Sequence, residues 1–481
     1  MKPIHALTIA GAIAVAGCSS TTTPPVPPPM GPSIKHVVIL LQENRSFNNI
    51  FAGFPGANSA LQGPCKPEGQ AEKWCTGSHM VALHSVKLAT GSGPYFGADI
   101  DHSHHAFVTE CDANASGVCQ NDGFNLIRFG ESGQGALAKN YPYAYVDRKE
   151  TAPYWKLAQQ YTLADDMYMN DTASSFIAHQ LLISGTVQLN AKESLTDQPP
   201  TTPWGCDAPP GTQAPVLFTD GKESFDGPFP CFTQYGTIAD LLDAKNVSYL
   251  YYVYNYQAPH FDFSGAVWNG FDAIAKFRCA KFTPPDHCSG FGADWKPHIS
   301  IPNTNIFSDL KAGKLSSVSW VIPTLFDSDH PASGCNGGPR WVTKVVNAVG
   351  TSKFWNSTAI IVLWDDWGGW YDPAPPSQIS YTSLGFRIPL MVISPYAKPN
   401  NVSHTEYNYG SLLKFIEETF NLGSLGTTDS TANSLSDIFD FKQKPNVFQA
   451  APLPPADACG EQQTQPGFTQ KIIEHDGGIP E

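Results

Sequence analysis

Three short runs of consecutive apolar residues stand out along the chain: HVVILLQE at 36–43, AIIVLWDD at 359–366 and IPLMVIS at 388–394. Each is bounded by polar or turn-forming residues, the pattern of a strand buried on both faces of a parallel sheet. VSYLYYVY near Val247 and SVSWVIP near Ser317 are weaker strand candidates. Between these runs the period changes. TIADLLDAK at 237–245, RWVTKVVNAV at 340–349 and SLLKFIEETF at 411–420 repeat their apolar positions every three to four residues, as amphipathic helices do. Alternating strand and helix predicts a layered α/β domain around a mainly parallel sheet. The stretches near 57–125 and 191–230 break the pattern with dense Gly and Pro and closely spaced cysteines, and read as stapled insertions in a single domain spanning 34–481.

The first 33 residues belong to none of these elements. Lys2 precedes the apolar ALTIAGAIAVAG, which stops at Cys18, a run too short to span a bilayer and typical of an export signal at 1–18. Val15-Ala16-Gly17-Cys18 resembles a bacterial lipobox, with valine in place of the usual leucine; an ordinary cleaved signal peptide is the alternative. SSTTTPPVPPPMGPS at 19–33 reads as an extended tether. The expected location is therefore outside the cytoplasm, lipid-anchored in the envelope or secreted, with the membrane touched only through the N-terminal anchor. Of 11 cysteines, those other than Cys18 form an even set, which in an exported chain implies disulfides. Cys65/Cys75, Cys111/Cys119 and Cys279/Cys288 would close short loops and Cys206/Cys231 a longer one, leaving Cys335 with Cys459, although spacing does not fix the connectivity. With a net charge of -14, the chain lacks the electrostatic footprint of a nucleic-acid binder.

Chemistry concentrates at two strand ends. Leu41-Gln42 runs into Glu43-Asn44, and Leu363-Trp364 into Asp365-Asp366. Ligands of open α/β sheets gather at the carboxyl ends of strands, and carboxylates desolvated there need compensation. Glu43, Asn44, Asp365 and Asp366 offer hard oxygen ligands to a divalent cation; the alternative is that they cap helices or pair with an arginine such as Arg45.

Glu43-Asn44-Arg45-Ser46-Phe47 resembles the ENRSF signature of the bacterial phospholipase C and acid phosphatase family of phosphoesterases, within the alkaline-phosphatase-like superfamily. Similar segments follow in order: DIDHSHHAF at 99–107, NDGFN at 121–125, SSFIAHQLLISGT at 174–186, VSWVIPTLFDSDHPA at 318–332, WDDWGGWYDPAPP at 364–376, GFRIPLMVISPYAK at 385–398 and NYGSLLKFIEETFNL at 408–422. The resemblance implies an alkaline-phosphatase-like three-layer α/β sandwich and a two-step phosphoryl transfer. Glu43, Asn44, Asp365 and Asp366 would hold one divalent metal: calcium, zinc, manganese, magnesium or iron. Ser175 would be the nucleophile, with Ser174 its rival and a helix N-cap its plainer role. His102 and His330 would contact the phosphate or move protons. His179, four residues beyond Ser175, would share a helix face with it.

The implied substrate is a phosphate ester, a phospholipid or a small phosphomonoester. A phosphodiesterase of other substrate, a sulfatase-like hydrolase and a non-catalytic surface lipoprotein that keeps the fold for binding are the alternatives. Two positions depart from the family pattern: Pro373 follows Asp372 where a histidine is usual, and Asn48 stands where aspartate is frequent. His104, His105 and His404 read as bystanders. Trp364, Trp367, Trp370 and Tyr371 read as core, with contact to an aromatic or acyl group as the alternative.

Overall fold

A computed structural model of the chain describes residues 34–67, 75, 79–89, 98–130, 132–254, 264–376, 384–456 and 459; residues 1–33, where an export signal and a tether are expected, lie outside them. Eight strands form the central sheet: β1 (His36–Gln42), β2 (Thr162–Ala164), β3 (Tyr249–Tyr252), β4 (Ile299–Ser300), β5 (Val318–Val321), β6 (Thr358–Trp364), β7 (Leu390–Ile393) and β8 (Asn401–Ser403). Their order is β4-β3-β5-β1-β6-β7-β2-β8. All adjacent pairs are parallel except the two made by β7.

The continuous apolar runs are continuous because both faces are covered. Val37 to Leu41 of β1 and every residue of β6 are buried. Truncating one of these side chains, for example Ile361→Ala, would cost about 2–5 kcal/mol. The helices include α1 (Phe47–Phe51), α2 (His104–Cys111), α3 (Arg148–Gln160), α4 (Ser175–Ser184), α5 (Ile238–Ala244), α6 (Gly338–Gly350) and α7 (Tyr409–Phe420); a further helix spans Asn305–Lys311, with short helical turns elsewhere. α6 packs on α3, while α5 and α7 pack on α4. These two groups cover the two faces and complete the three layers. α6 presents Trp341, Val342, Val345, Val346 and Val349 inward. α5 starts at a capping box between Thr237 and Asp240.

One strand differs from expectation. IPLMVIS was expected among the parallel strands, and β7 runs antiparallel to both β6 and β2. Burial on both faces demands a continuous apolar run whichever way a strand points, so the run does not encode direction. The described part of the connection from β6 to β7 contains no helix, and a parallel return needs a crossover that usually includes one.

Five disulfides pair Cys65–Cys75, Cys111–Cys119, Cys206–Cys231, Cys279–Cys288 and Cys335–Cys459. At the start of the second cysteine-bearing stretch and within it, Gln188–Asn190, Glu193–Leu195, Val216–Phe218 and Glu223–Ser224 build a separate four-stranded antiparallel sheet. Among the described residues, no helix is long and apolar enough to cross a membrane.

Candidate active site

Register assembles the site. β1 and β6 pair in step from His36↔Thr358 to Gln42↔Trp364, so the residues that follow, Glu43-Asn44 and Asp365-Asp366, emerge side by side. The pairing continues one bond further, Asp365 N–H donating to Gln42 O at 3.0 Å. Asn44 then turns through a left-handed conformation, φ 55°, and its N–H donates to Asp365 Oδ1 at 2.9 Å. β5, on the other side of β1, delivers the loop that ends at His330. The stretch 57–125 supplies His102, and the N-terminus of α4 supplies Ser175.

Glu43, Asn44, His102, Ser175, His179, His330, Asp365 and Asp366 are all buried. The structure brings all eight into one contiguous group. Ser174, not Ser175, is the N-cap of α4, and its hydroxyl is bound to Gln198 Oε1. Ser175, the first helical residue, is left free to donate to Asp366 Oδ2 at 3.1 Å. The other oxygen of Asp366 accepts from Gly368 N–H at 2.7 Å. Gly368 is required here: it sits at φ 60°, and a Cβ would lie 2.2 Å from Asn44 O.

The remaining polar atoms are notable for what they lack. Both oxygens of Glu43, Asp365 Oδ2, Asn44 Oδ1 and His179 Nε2 are buried without a hydrogen-bond partner. His179 Nε2 lies 3.3 Å from Glu43 Oε1 and 3.9 Å from Asp365 Oδ2, and one ligand atom from each of these three residues falls within 4.8 Å of the others. Burial, with Asp365 and Asp366 alongside, holds the Glu43 carboxyl well above its ordinary range. Burial and Asp365 do the same to Asp366. Burial pushes His179 down to about 4, leaving it neutral with a lone pair to offer. Three buried carboxyl groups that, among the described residues, pair with no lysine or arginine, and orphaned donor atoms between them, fit a divalent cation. His179, singled out as a catalytic histidine, thus stands among the candidate ligands. The serine-to-histidine spacing on one helix placed it near the strand ends, but spacing alone carried no hint of a ligand.

Arg45 does not pair with the acidic cluster. Its guanidinium turns away to Asp329 O at 2.8 Å, Asn49 Oδ1 at 3.3 Å and Leu88 O at 3.4 Å, over the Trp370 ring. Neither does the cluster cap a helix at this point, since the N-cap of α1 is Ser46.

The two other histidines have fixed roles as donors or acceptors. His102 Nδ1 lies 2.7 Å from Ile100 O, so that nitrogen carries the proton and Nε2 accepts from Asn44 Nδ2 at 2.9 Å. This contact engages the Asn44 amide nitrogen and leaves Oδ1 buried and unpartnered. His330 Nδ1 accepts from Ala332 N–H at 3.1 Å, so Nε2 carries the proton, and that nitrogen has no partner. Burial and the neighbouring His102 push His330 down to about 3; it is a neutral N–H donor at physiological pH. Trp268, which sequence patterning did not single out, stacks on both His179 and His330, with centroids 6.4 and 5.9 Å away. A tryptophan in a glycine-containing loop carries no signal that separates this position from ordinary core.

The bystanders fall where expected. His104 bonds Thr172, His105 is exposed, and His404 pairs with Asp165 at 2.9 Å. Trp364 and Trp367 are core, their indole N–H groups donating to Asp329 and to Glu110; Trp370 and Tyr371 are buried too. Asn48 exchanges hydrogen bonds with the backbone of Ala60. Asp372, before Pro373, is a buried partner of Arg387 at 2.7 Å.

The sequence profile of the Phosphoesterase family matches residues 34–423. Curated relatives include a hemolytic phospholipase C from Pseudomonas aeruginosa, 24% identical over 478 residues that cover 89% of this chain and 59% of that protein. Phospholipase C A from Mycobacterium tuberculosis is 25% identical, covering 86% and 78%, and a non-specific phospholipase C3 from Arabidopsis thaliana is 22% identical, covering 84% and 74%. The chain thus spans less than two thirds of the Pseudomonas relative. Among solved structures, a protein in the alkaline phosphatase superfamily from Vibrio parahaemolyticus matches with a TM-score of 0.34 at 12% identity, over 85% of this chain and 73% of that one.

Proposed function

The chain belongs to the Phosphoesterase family, and from that premise we propose that it is an exported, metal-dependent phosphate-ester hydrolase acting through a phosphoserine at Ser175. The observation that carries this reading is the Ser175 hydroxyl bonded to Asp366 beside a buried cluster of unpartnered oxygens and an unpartnered imidazole nitrogen. Glu43, Asp365 and His179 would hold the cation, with the Asn44 amide oxygen in support and Asp366 beside it. An imidazole in the donor set favours zinc or iron over calcium, magnesium and manganese, which suit oxygen ligands. When bound, such a cation neutralises phosphoryl charge and makes a nearby hydroxyl easier to ionise.

The protein's own groups divide the remaining work. Ser175 Oγ attacks phosphorus while its proton passes to Asp366 Oδ2, and Gly368 N–H holds that carboxylate in place. The bond from phosphorus to the ester oxygen breaks, and the departing alkoxide takes its proton from water. His330 Nε2–H donates to a phosphoryl oxygen; neutral throughout, it stabilises charge without exchanging a proton. His102 orients Asn44. Water then attacks phosphorus and gives up a proton to solvent, the Oγ–P bond breaks, and Oγ takes back the proton held by Asp366, releasing the phosphate product and restoring the serine. The relatives' names support phospholipase C chemistry on a diester, and an acid-phosphatase type of reaction on monoesters uses the same groups. The disulfides agree with export, and a lipid anchor at Cys18 would set the membrane contact.

The test is hydrolysis of p-nitrophenyl phosphate and p-nitrophenyl phosphorylcholine, with and without chelator, by the purified protein and its Ser175→Ala variant. Expected are chelator-sensitive turnover, a loss of at least about 10³-fold in the variant, and a preferred ester that separates the two types. Turnover that survives either the chelator or the mutation overturns the mechanism. A folded, metal-loaded protein with no activity favours a non-catalytic lipoprotein.

A further inference from the structure

A second cavity lies beside the helix that carries Ser175. It has a volume of about 310 Å³, at the lower end of the range that holds small ligands. Its walls come from three places: the segment Asn170 to Ala173 that leads into α4, the flank and C-terminal turn of α4 from Leu181 to Gln188, and the Thr427–Thr431 region that follows α7. The antiparallel sheet of the cysteine-bearing insertion closes it with Ser194, Leu195, Thr196 and Leu217.

The composition of the lining selects a ligand class. Hydroxyl-bearing side chains dominate, and no lysine, arginine, histidine or aromatic residue lines the cavity. A phosphate or other anion would find no cation there, and would face Asp171. A base or aryl ring would find nothing to stack on, and an acyl chain would strand the hydroxyls unsolvated. Several hydroxyl protons are already committed: Thr427 Oγ1 donates to Ser184 O at 3.0 Å and Thr428 Oγ1 to Gly185 O at 2.9 Å. Their oxygens remain able to accept. Asp171, more than nine-tenths buried, uses Oδ1 to accept from Ala173 N–H at 3.0 Å, while Oδ2 has no partner. Hydroxyls, two amides and a carboxyl that burial holds well above its ordinary range offer both donors and acceptors, and so call for a ligand whose own groups do both.

We infer that this cavity binds a neutral, polyhydroxylated group, a sugar or cyclitol ring or a glycerol unit. That group reaches it either as the alcohol part of a phosphate ester or as a free polyol. The first source rests on the function proposed above; the second does not. In the first case the insertion acts as a specificity element, since it forms one wall of a cavity whose opposite wall begins at Asn170, close in the chain before Ser175.

The experiment uses the full exported chain with its metal, and a Thr196→Val/Thr431→Val double variant, which removes two lining hydroxyls without changing side-chain volume; Thr186→Val serves as a second probe. KM and kcat are measured for myo-inositol 1-phosphate, glucose 6-phosphate, phosphocholine and p-nitrophenyl phosphate, and binding of free myo-inositol and glucose is measured by calorimetry. Expected for an ester subsite is a rise of ~10-fold in KM for the polyol phosphates, p-nitrophenyl phosphate kinetics within about twofold of the parent, and competitive inhibition by free polyol. Free polyol binding that the variants abolish, with unchanged KM values, assigns the cavity to free polyols and still supports the inference. If the parent protein turns over none of these monoesters, the kinetic comparison drops out without bearing on a diester hydrolase, and calorimetry alone decides the cavity. Equal KM values together with no polyol binding overturn the inference, and so does a preference for phosphocholine that the variants remove.

Discussion

Gly368→Ala is a small change with a calculable effect. The added Cβ would lie 2.2 Å from Asn44 O and 2.6 Å from Asn44 C, where an ordinary C···O contact is about 3.3 Å. Relief requires a displacement of roughly 1 Å, and the atoms in the way are backbone, so a rotamer change cannot supply it. The backbone that moves is the one whose N–H holds Asp365 Oδ1 at 2.9 Å and whose side chain meets His102 at 2.9 Å. From the other side, Gly368 N–H is the donor that fixes Asp366. An alanine at φ 60° costs about 1–2 kcal/mol in addition. A misplacement of about 1 Å at a reacting centre can cost ~100-fold in rate. The expected outcome is therefore a folded protein, destabilised by a few kcal/mol, with kcat on p-nitrophenyl phosphate down about 100-fold and metal content reduced. Steady-state kinetics, mass-spectrometric metal analysis and thermal unfolding on one preparation measure all three. Unchanged kcat and metal content in a variant with the expected loss of stability would refute the assembly of the site around Asn44 and Asp366.

His179→Ala removes one of the three grouped donors; metal content should fall from about one ion per chain, whereas His404→Ala, at an exposed side chain outside the group, should leave it unchanged. His330→Ala should lower kcat/KM by ~10²–10³-fold through loss of a neutral donor, with partial recovery in His330→Gln, which restores an N–H. Cys335–Cys459 closes the longest loop, 124 residues apart in sequence, so replacing both with serine should lower stability by up to about 5 kcal/mol, more than removing Cys111–Cys119, with a separation of 8. Glu417 on α7 is buried, with Asp429 nearby, and its carboxyl is raised to about 8. The unfolded chain releases this proton near the ordinary value and the folded chain keeps it to about 8, so stability is full at low pH and declines as pH rises between the two. Glu417→Gln retains an oxygen for the Leu425 N–H and should gain stability relative to the parent from pH 5 to pH 8; a difference independent of pH would refute that assignment.

Where the strands and helices lie was legible in the sequence because burial on two faces and burial on one stripe leave different periods. α5, α6 and α7 each fall within two residues of their apolar repeats at one end or both. The short strands β2, β4 and β8 left no such trace. Two or three residues are too few for a period, and only pairing with a neighbour makes them strands. Direction was equally silent, as β7 shows.

For the site, the sequence determined the residue types and their placement at strand ends: Glu43 and Asn44 after one apolar run, Asp365 and Asp366 after another, and a serine opening a helix. These are consequences of local pattern. What only tertiary structure decided is which of those groups face each other. The register of β1 on β6 set Glu43 against Asp365; the packing of α4 brought His179 to both and gave Ser175 to Asp366; and the tautomers of His102 and His330 followed from single backbone contacts. The Thr-lined cavity belongs to this second kind, because the residues around 170–217 close on the segment Gly426–Thr431, more than two hundred residues further along the chain. Local sequence encodes which surface a segment must bury, while chemistry between distant groups depends on ångström-scale distances that only the packed chain fixes.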